Sequence, residues 1–251
     1  MLALRQSFDV SENQNLQLQY GIARIDGNGI DGKQKAGDNG LTGGYSQFFG
    51  LRHNLDLGIV TLNNSVRYDV QQLESSRSIR YSGVNQVAES DNQQQYLEWR
   101  SQFSKGFTLE NGINLTPTAG FKLRQTNDAG YSERGAGDFN LQMDTRKETA
   151  VDAVVGLNLT YVGDNGWMMN ALLEGGPNLS YKQSTQTASL QGAGEDRFAV
   201  ASNEKGGDIN SMAKVGLSYS QGASKLAIDA YNWKEDGITD KGMLMKYNYS
   251  F

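Results

Sequence analysis

The chain has no cysteine, two prolines and a single histidine among its 251 residues. Without cysteine there is neither a disulfide framework nor a thiolate metal site. A Ser-His-Asp hydrolase or a histidine-based metal centre would have to be built on His53 alone. Proline removes a ladder donor, so its scarcity suits long paired strands. Long hydrophobic runs are missing as well. Mean hydropathy is −0.57, and no stretch approaches the roughly 18 apolar residues that a membrane helix needs. That excludes a helical membrane protein. It leaves a β-barrel open, because only every second residue of a barrel strand meets lipid. There is no basic run of five or more residues, and net charge is −5 with a pI near 5.0, so nucleic acid is not an expected partner. The opening MLALRQSFDV lacks the apolar core of a signal peptide. An exported chain would then carry its signal upstream, and this would be a mature piece or a cut fragment.

Strict alternation is the dominant pattern. Ile113, Leu115, Pro117, Ala119, Phe121 and Leu123 make one face, and Asn114, Thr116, Thr118, Gly120, Lys122 and Arg124 the other. Side chains alternate across a strand, so one face is greasy and the other wet. Val151–Tyr161 and Ile209–Tyr219 repeat the pattern, and the last strand carries Met243, Met245, Tyr247, Tyr249 and Phe251. Weaker versions lie at Leu2–Val10, Leu16–Ile25, Leu41–Leu55, Ile59–Leu73, Leu97–Leu109, Trp167–Ser180 and Leu226–Trp233. Helical spacing is not sustained. The expected fold is all-β: a single antiparallel transmembrane barrel over residues 1–251.

The connections differ in length by turns. Ser11–Asn15, Asp56–Gly58, Glu110-Asn111-Gly112, Asp164-Asn165-Gly166 and Gln221–Ser224 are short, and Asn-Gly supplies the positive φ that tight hairpins need. Asp26–Asn39, Glu74–Gln93, Thr126–Lys147, Ser184–Asp208 and Glu235–Asp240 read as the long, polar connections. Outer-membrane barrels have this asymmetry, with short turns on the periplasmic side. Tyr20, Phe48, Phe49, Phe103, Phe107, Tyr161, Trp167, Tyr219, Tyr249 and Phe251 fall near the short-turn end. Tyr81, Tyr96, Tyr131, Tyr181, Tyr231 and Trp233 fall nearer the loops. Both sets suit aromatic girdles at the two membrane–water interfaces. A soluble β-sandwich predicts the same alternation, but neither the loop asymmetry nor an aromatic strand at the extreme C-terminus.

About eleven strands fit in the chain, and single-chain bacterial barrels have even numbers. Either Leu2–Val10 is not a strand and the barrel has ten, or a strand precedes Met1 and it has twelve. Its apolar Leu2, Leu4, Phe8 and Val10 against Arg5, Ser7 and Asp9 favour twelve.

Opposite the apolar face lie Arg5, Asp9, Arg67, Asp69, Glu98, Arg100, Lys122, Arg124, Asp152, Glu174, Lys214 and Lys246. As pore-lining residues they would either line a hydrated passage for a polypeptide or pair across a filled barrel. His53 sits in Arg52-His53-Asn54 near a short turn, the wrong end for outer-leaflet hydrolysis, and reads as a solvated histidine. Glu235-Asp236 and Glu195-Asp196 are acidic pairs without EF-hand spacing and read as solvated loop residues. Gly192-Ala193-Gly194 and Gly135-Ala136-Gly137 precede no helix, so they are not phosphate cradles. No catalytic residue, metal site or cofactor is expected.

The C-terminal pattern Asp240-x-Gly242-x-x-Met245-x-Tyr247, followed by Tyr249 and Phe251, resembles the assembly signal of outer-membrane proteins. That resemblance implies recognition by the barrel-assembly machinery, and a hydrophobic strand edge is a template for strand addition. More broadly, LTGGYSQFFGLRHNL (Leu41–Leu55), LNNSVRYDVQQLESSRSIRYS (Leu62–Ser82) and AYNWKEDGITDKGMLMKYNYSF (Ala230–Phe251) resemble the translocator (β) domain of an autotransporter. The resemblance implies a C-terminal barrel of about 12 strands that sits in the bacterial outer membrane as a monomer, contacts its lipids, and secretes an N-terminal passenger to the cell surface (type V secretion). The alternative is a stand-alone outer-membrane pore or adhesin acting through its long loops.

Overall fold

Alternation of apolar and polar residues drives strand formation throughout. The computed structural model describes residues 2–26, 40–109, 112–200 and 206–249, and each alternating segment in them is a strand. In chain order these are β1 (Leu2–Ser11), β2 (Gln14–Asp26), β3 (Gly40–Asp56), β4 (Thr61–Tyr81), β5 (Val84–Ser104), β6 (Phe107–Thr108), β7 (Ile113–Asp128), β8 (Tyr131–Ser132), β9 (Leu141–Met143), β10 (Arg146–Val162), β11 (Trp167–Gln183), β12 (Gln186–Leu190), β13 (Ala193–Val200), β14 (Ile209–Gln221), β15 (Ser224–Glu235) and β16 (Ile238–Tyr249). Eleven of them form one antiparallel path, β1-β2-β3-β4-β5-β7-β10-β11-β14-β15-β16, with the stub β6 beside β7. β1 pairs with β2 through Leu4↔Tyr20 and Phe8↔Leu16. Leu2–Val10 is therefore a strand, which overturns the ten-strand alternative. β1 and β16 end the path, and no ladder joins them among the described residues.

The sheet is strongly curled. Arg124 on β7 donates through Nη1 to Asp236 Oδ2 at 2.6 Å, although β7 lies four ladder steps from β15. On a flat sheet four steps span about 19 Å, so the charged face is the concave one. Burial follows from this and inverts the soluble pattern. On the convex face Val155 is 61% exposed and Met245 68%, with Leu4, Phe49, Leu173 and Val215 likewise exposed; on the concave face Asp152 is 1% exposed and Arg124 5%. The apolar face is left uncovered, so the sandwich is excluded, and the outward apolar row from Val151 to Tyr161 matches a lipid-facing band about 25 Å tall.

The wall is uneven in height. β4 and β5 have 21 residues each and are joined by Ser82-Gly83 at positive φ, whereas β15 and β16 have 12 each. Along the strands that is about 70 Å against about 40 Å. Glu74–Gln93, read from sequence as a loop, is ladder instead, with Glu74↔Asp91 and Ser76↔Glu89 in register. Beyond the membrane both faces are polar, so no alternation marks these residues as strand. Thr126–Lys147 and Ser184–Asp208 likewise contain strands, and β13-β12-β9-β8 form a separate four-stranded sheet. It leans on the tall hairpin through the Glu89–Arg134 bridge and a small apolar cluster of Ile79, Ala88 and Ala136 flanked by Val84 and Phe139. Arg77 fastens it, donating to both Glu133 carboxylate oxygens at 3.0 and 2.6 Å and to the Phe139 carbonyl at 2.8 Å.

The short turns are where the sequence places them. In Asp164–Gly166, Asn165 and Gly166 have φ of 59° and 84°, and a Cβ on Gly166 would lie 2.1 Å from the Ser220 carbonyl oxygen. Glu110 and Asn111, residues 27–39 of the first long connection, 201–205 of the fourth, and Phe251 lie outside the described residues. β11 carries the one irregularity that weakens its alternation. Val151 pairs with Ser180 but Asp152 with Asn178, so Leu179 is an extra residue and the side-chain phase resets there.

Candidate functional site

The concave face is the place where this fold gathers chemistry. Inward phase on β7 presents Lys122 and Arg124, and on β10 it presents Asp152, directly across from Lys122. Arg124 grips Asp152 with Nε to Oδ2 at 2.7 Å and Nη2 to Oδ1 at 3.2 Å. The same guanidinium reaches Asp236 at 2.6 and 3.1 Å and Glu235 at 3.1 Å. Lys122 Nζ donates to Glu235 and lies 3.7 Å from Asp152. Asn178 and Asn210 each donate an amide to Asp152 Oδ1, at 2.8 and 2.9 Å. Two cations and three carboxylates thus share one nearly dry site, where every charge has a partner, as burial requires.

The remaining inward charges form smaller pairs. Arg67 holds both Asp69 oxygens, at 2.6 and 2.7 Å. Arg100 Nη1 donates to both oxygens of Glu174, at 2.8 and 2.7 Å, and its Nε lies 3.7 Å from Glu98. Lys214 and Lys246 flank Asp229 at 3.1 and 2.9 Å. Every inward charge expected between Arg67 and Lys246 lies on this face and is paired. On β1, Asp9 accepts from Asn15 at 2.9 Å.

Three readings from the sequence need correction. Glu235 and Asp236 are not solvated loop residues; they are 9% and 5% exposed and sit in the central ion network. Glu235–Asp240 is not a long connection either, since β15 and β16 meet in a two-residue turn at Asp236-Gly237. The girdle assignment judged height but not face. Phe48 is level with inward Asp69, Tyr96 with Asp69 and Thr126, Tyr231 with Lys214, and Trp233 with Met212 and Asp240. These four rings face the concave side. Counting in twos from Leu226 would have placed Tyr231 and Trp233 there. Outward rings do pair at the short-turn end, Tyr20 with Phe49 at 5.0 Å and Trp167 with Tyr219 at 4.9 Å between centroids. The hydrogen bonds of Asn178 and Asn210 to Asp152 had no sequence signal, because the β11 bulge sets the phase of Asn178.

His53 lies on β3 opposite Asn64 and Leu16, and its Nε2 is 3.3 Å from Gln14 Oε1. Asp240, Gly242, Met245, Tyr247 and Tyr249 all lie on β16. Met243, Met245, Tyr247 and Tyr249 are exposed on its outward side, on a strand that among the described residues pairs with β15.

Known proteins agree with this architecture. The autotransporter β-domain family matches residues 14–231. A protein of Salmonella typhimurium that carries the name surface-exposed virulence protein BigA is 55% identical over 254 residues, covering 100% of this chain and 13% of its own length. The chain therefore spans a small part of that relative. Among solved structures, the translocator domain of the autotransporter NalP from Neisseria meningitidis superposes with a TM-score of 0.69 at 13% identity, covering 99% of this chain and 78% of that one. An antiparallel wall that is apolar outside and charged inside, matched along most of its length by one family, settles the assignment: the chain belongs to the autotransporter β-domains, the outer-membrane translocators of passenger domains.

Proposed function

We propose that the eleven strands described here are closed by a twelfth between β1 and β16, and that the resulting barrel carries an attached, surface-displayed passenger through its charged interior. The observation that carries this reading is the segregation of residues across the wall. Lipid-facing positions are apolar and exposed, and the interior holds Arg67, Asp69, Glu98, Arg100, Lys122, Arg124, Asp152, Glu174, Lys214 and Lys246 as paired charges. A polypeptide passing such a face meets saturated ion pairs rather than apolar surface, so it has little to adhere to. The even strand number expected of bacterial barrels, and the lack of a β1–β16 ladder among the described residues, support the twelfth strand. The printed name of the Salmonella relative supports a surface-exposed passenger. In this reading the barrel is a monomer embedded in outer-membrane lipid. β16 is the strand that the barrel-assembly machinery engages, and the domain itself catalyses nothing. His53 lies near the short turns with its Nε2 against Gln14 Oε1, and among the described residues no hydrogen bond or ion pair joins it to a carboxylate of the kind a catalytic histidine needs.

The test is protease shaving of intact cells that express the full-length protein. Accessible passenger in wild type, lost when Tyr249→Asp prevents barrel assembly, supports translocation. Passenger retained inside cells that hold a folded barrel would reject it, leaving a pore or adhesin that acts through its extramembrane sheet.

A further inference from the structure

A hairpin tip belongs in solvent, because its backbone and polar side chains need water. At the tip of β15–β16 the two acidic residues, Glu235 and Asp236, are instead buried, although Gly237 and Ile238 beside them are exposed. Asp236 is 5% exposed, and its backbone N–H donates to Asn210 Oδ1 at 3.0 Å. Both carboxylates leave the wall and engage Lys122 and Arg124, four ladder steps away. The turn is set for this by local backbone conformation. Asp236 and Gly237 have φ of 51° and 85°, the left-handed pair that a two-residue hairpin requires. Glu235 and Asp236 lie beyond the last β14–β15 pair, Ser211↔Lys234, so the tip can move without unpairing that seam.

We propose that the β15–β16 tip is a latch that closes the interior, with Glu235 and Asp236 as the bolt and Lys122 and Arg124 as the keeper. This rests on the barrel being a passage. A polypeptide crossing even as a helix needs about 10–12 Å of width, which the bridged side chains occupy. The tip must therefore release for transit and re-engage afterwards. Asp152 is the fixed third party. It holds Arg124 in position whether or not the tip is docked, so the keeper stays charged and oriented while the bolt is away. The latch is electrostatic, and its strength depends on both sides carrying opposite charge.

The experiment uses the full-length protein in cells and reads two quantities: passenger at the surface by protease shaving, and entry of a hydrophilic dye that the outer membrane excludes. Heat-modifiable gel mobility shows that each variant folds. Lys122→Glu with Arg124→Glu should raise dye entry several-fold. Adding Glu235→Lys, Asp236→Lys and Asp152→Lys, which reverses every charge of the network, should return it to the wild-type value. A folded double variant as tight as wild type, or a folded fivefold variant that leaks as much as the double, would overturn the latch. Should charge reversal prevent folding, Lys122→Cys with Glu235→Cys provides the second route. That pair should leak when unbridged and seal when a short bis-maleimide joins the two thiols, and equal leakage in both states would also overturn the latch. Failure of the translocator reading appears separately, as absence of surface passenger in wild type.

Discussion

The guanidinium of Arg67 lies 4.7 Å from the centroid of the Phe48 ring, and the ring itself covers Gly21 on the neighbouring strand. A Cβ on Gly21 would sit 2.2 Å from a Phe48 carbon. Glycine, aromatic ring, cation and the Asp69 carboxylate form a stack across β2, β3 and β4 on the concave side. Such covering of a strand glycine pins register in curved sheets. Gly21→Val should force the ring off its seat and destabilise the barrel by about 1–3 kcal/mol. Phe48→Leu should lose the cation–ring contact, worth about 0.5–2 kcal/mol. Both are measured as shifts of the unfolding midpoint in detergent micelles. A Gly21→Val variant as stable as wild type would show that the stack is incidental.

Asp152 offers a stronger perturbation. Asp152→Ala strips Arg124 of one bidentate partner and leaves Asn178 and Asn210 without their shared acceptor. Removing one member of a buried ion network costs about 3–5 kcal/mol. Equilibrium denaturation should register this, and a loss below 1 kcal/mol would indicate that water readily replaces the carboxylate.

The eleven strands were legible because lipid and interior impose opposite demands on alternate residues, and Ile113–Arg124 and Val151–Tyr161 show both in full. The pairing of inward charges was legible only as a set. Parity places Arg124 and Asp152 on one face, but the partnership with Asp236 depends on curvature, which no local pattern encodes. The tall β4–β5 hairpin was missed for a related reason. Above the membrane neither face meets lipid, so Gln72, Glu74 and Ser76 carry no period to read. Glu235-Asp236-Gly237 looked like an exposed turn because turn chemistry and burial are independent properties, and sequence reports only the first.

The extramembrane sheet should respond to acid. Thr187 Oγ1 and the Arg197 guanidinium both donate to Asp144, and these hydrogen bonds, with the Arg197 charge, hold its carboxyl below the usual aspartate value. A depressed carboxyl contributes stability above its unfolded pKa of about 3.9 and loses it as pH falls through the folded value. Protection factors at β12 and β13, each referred to the intrinsic exchange rate at that pH, should therefore fall below about pH 4. Identical protection at pH 3 and 6 would contradict the prediction.

Arg77 ties the same sheet to the wall through Glu133 and Phe139. Arg77→Ala should expose the segment between β8 and β9 to external protease and leave barrel folding intact. Equal protease resistance would mean that the Ile79–Ala88–Ala136 cluster suffices.

The edge strand gives the last prediction. Tyr247 and Tyr249 are 66% and 55% exposed, and a charge among them would face lipid on the strand expected to pair during assembly. Tyr247→Asp should lower the yield of folded barrel in the outer membrane, read by heat-modifiable mobility, and normal yield would argue that β16 carries no signal at this position.

The difference between 21-residue and 12-residue strands gives the protein a sheltered flank and a bare one. On the β4–β5 side, a bulky agent approaching from outside, such as an antibody, a phage fibre or a protease, meets tall hairpin and accessory sheet long before it nears the bilayer. On the β14–β16 side it descends almost to lipid. Surface labelling of the intact cell would then be lopsided around the circumference of one barrel, and what defends the mouth on its low side has to be whatever stands in the mouth itself.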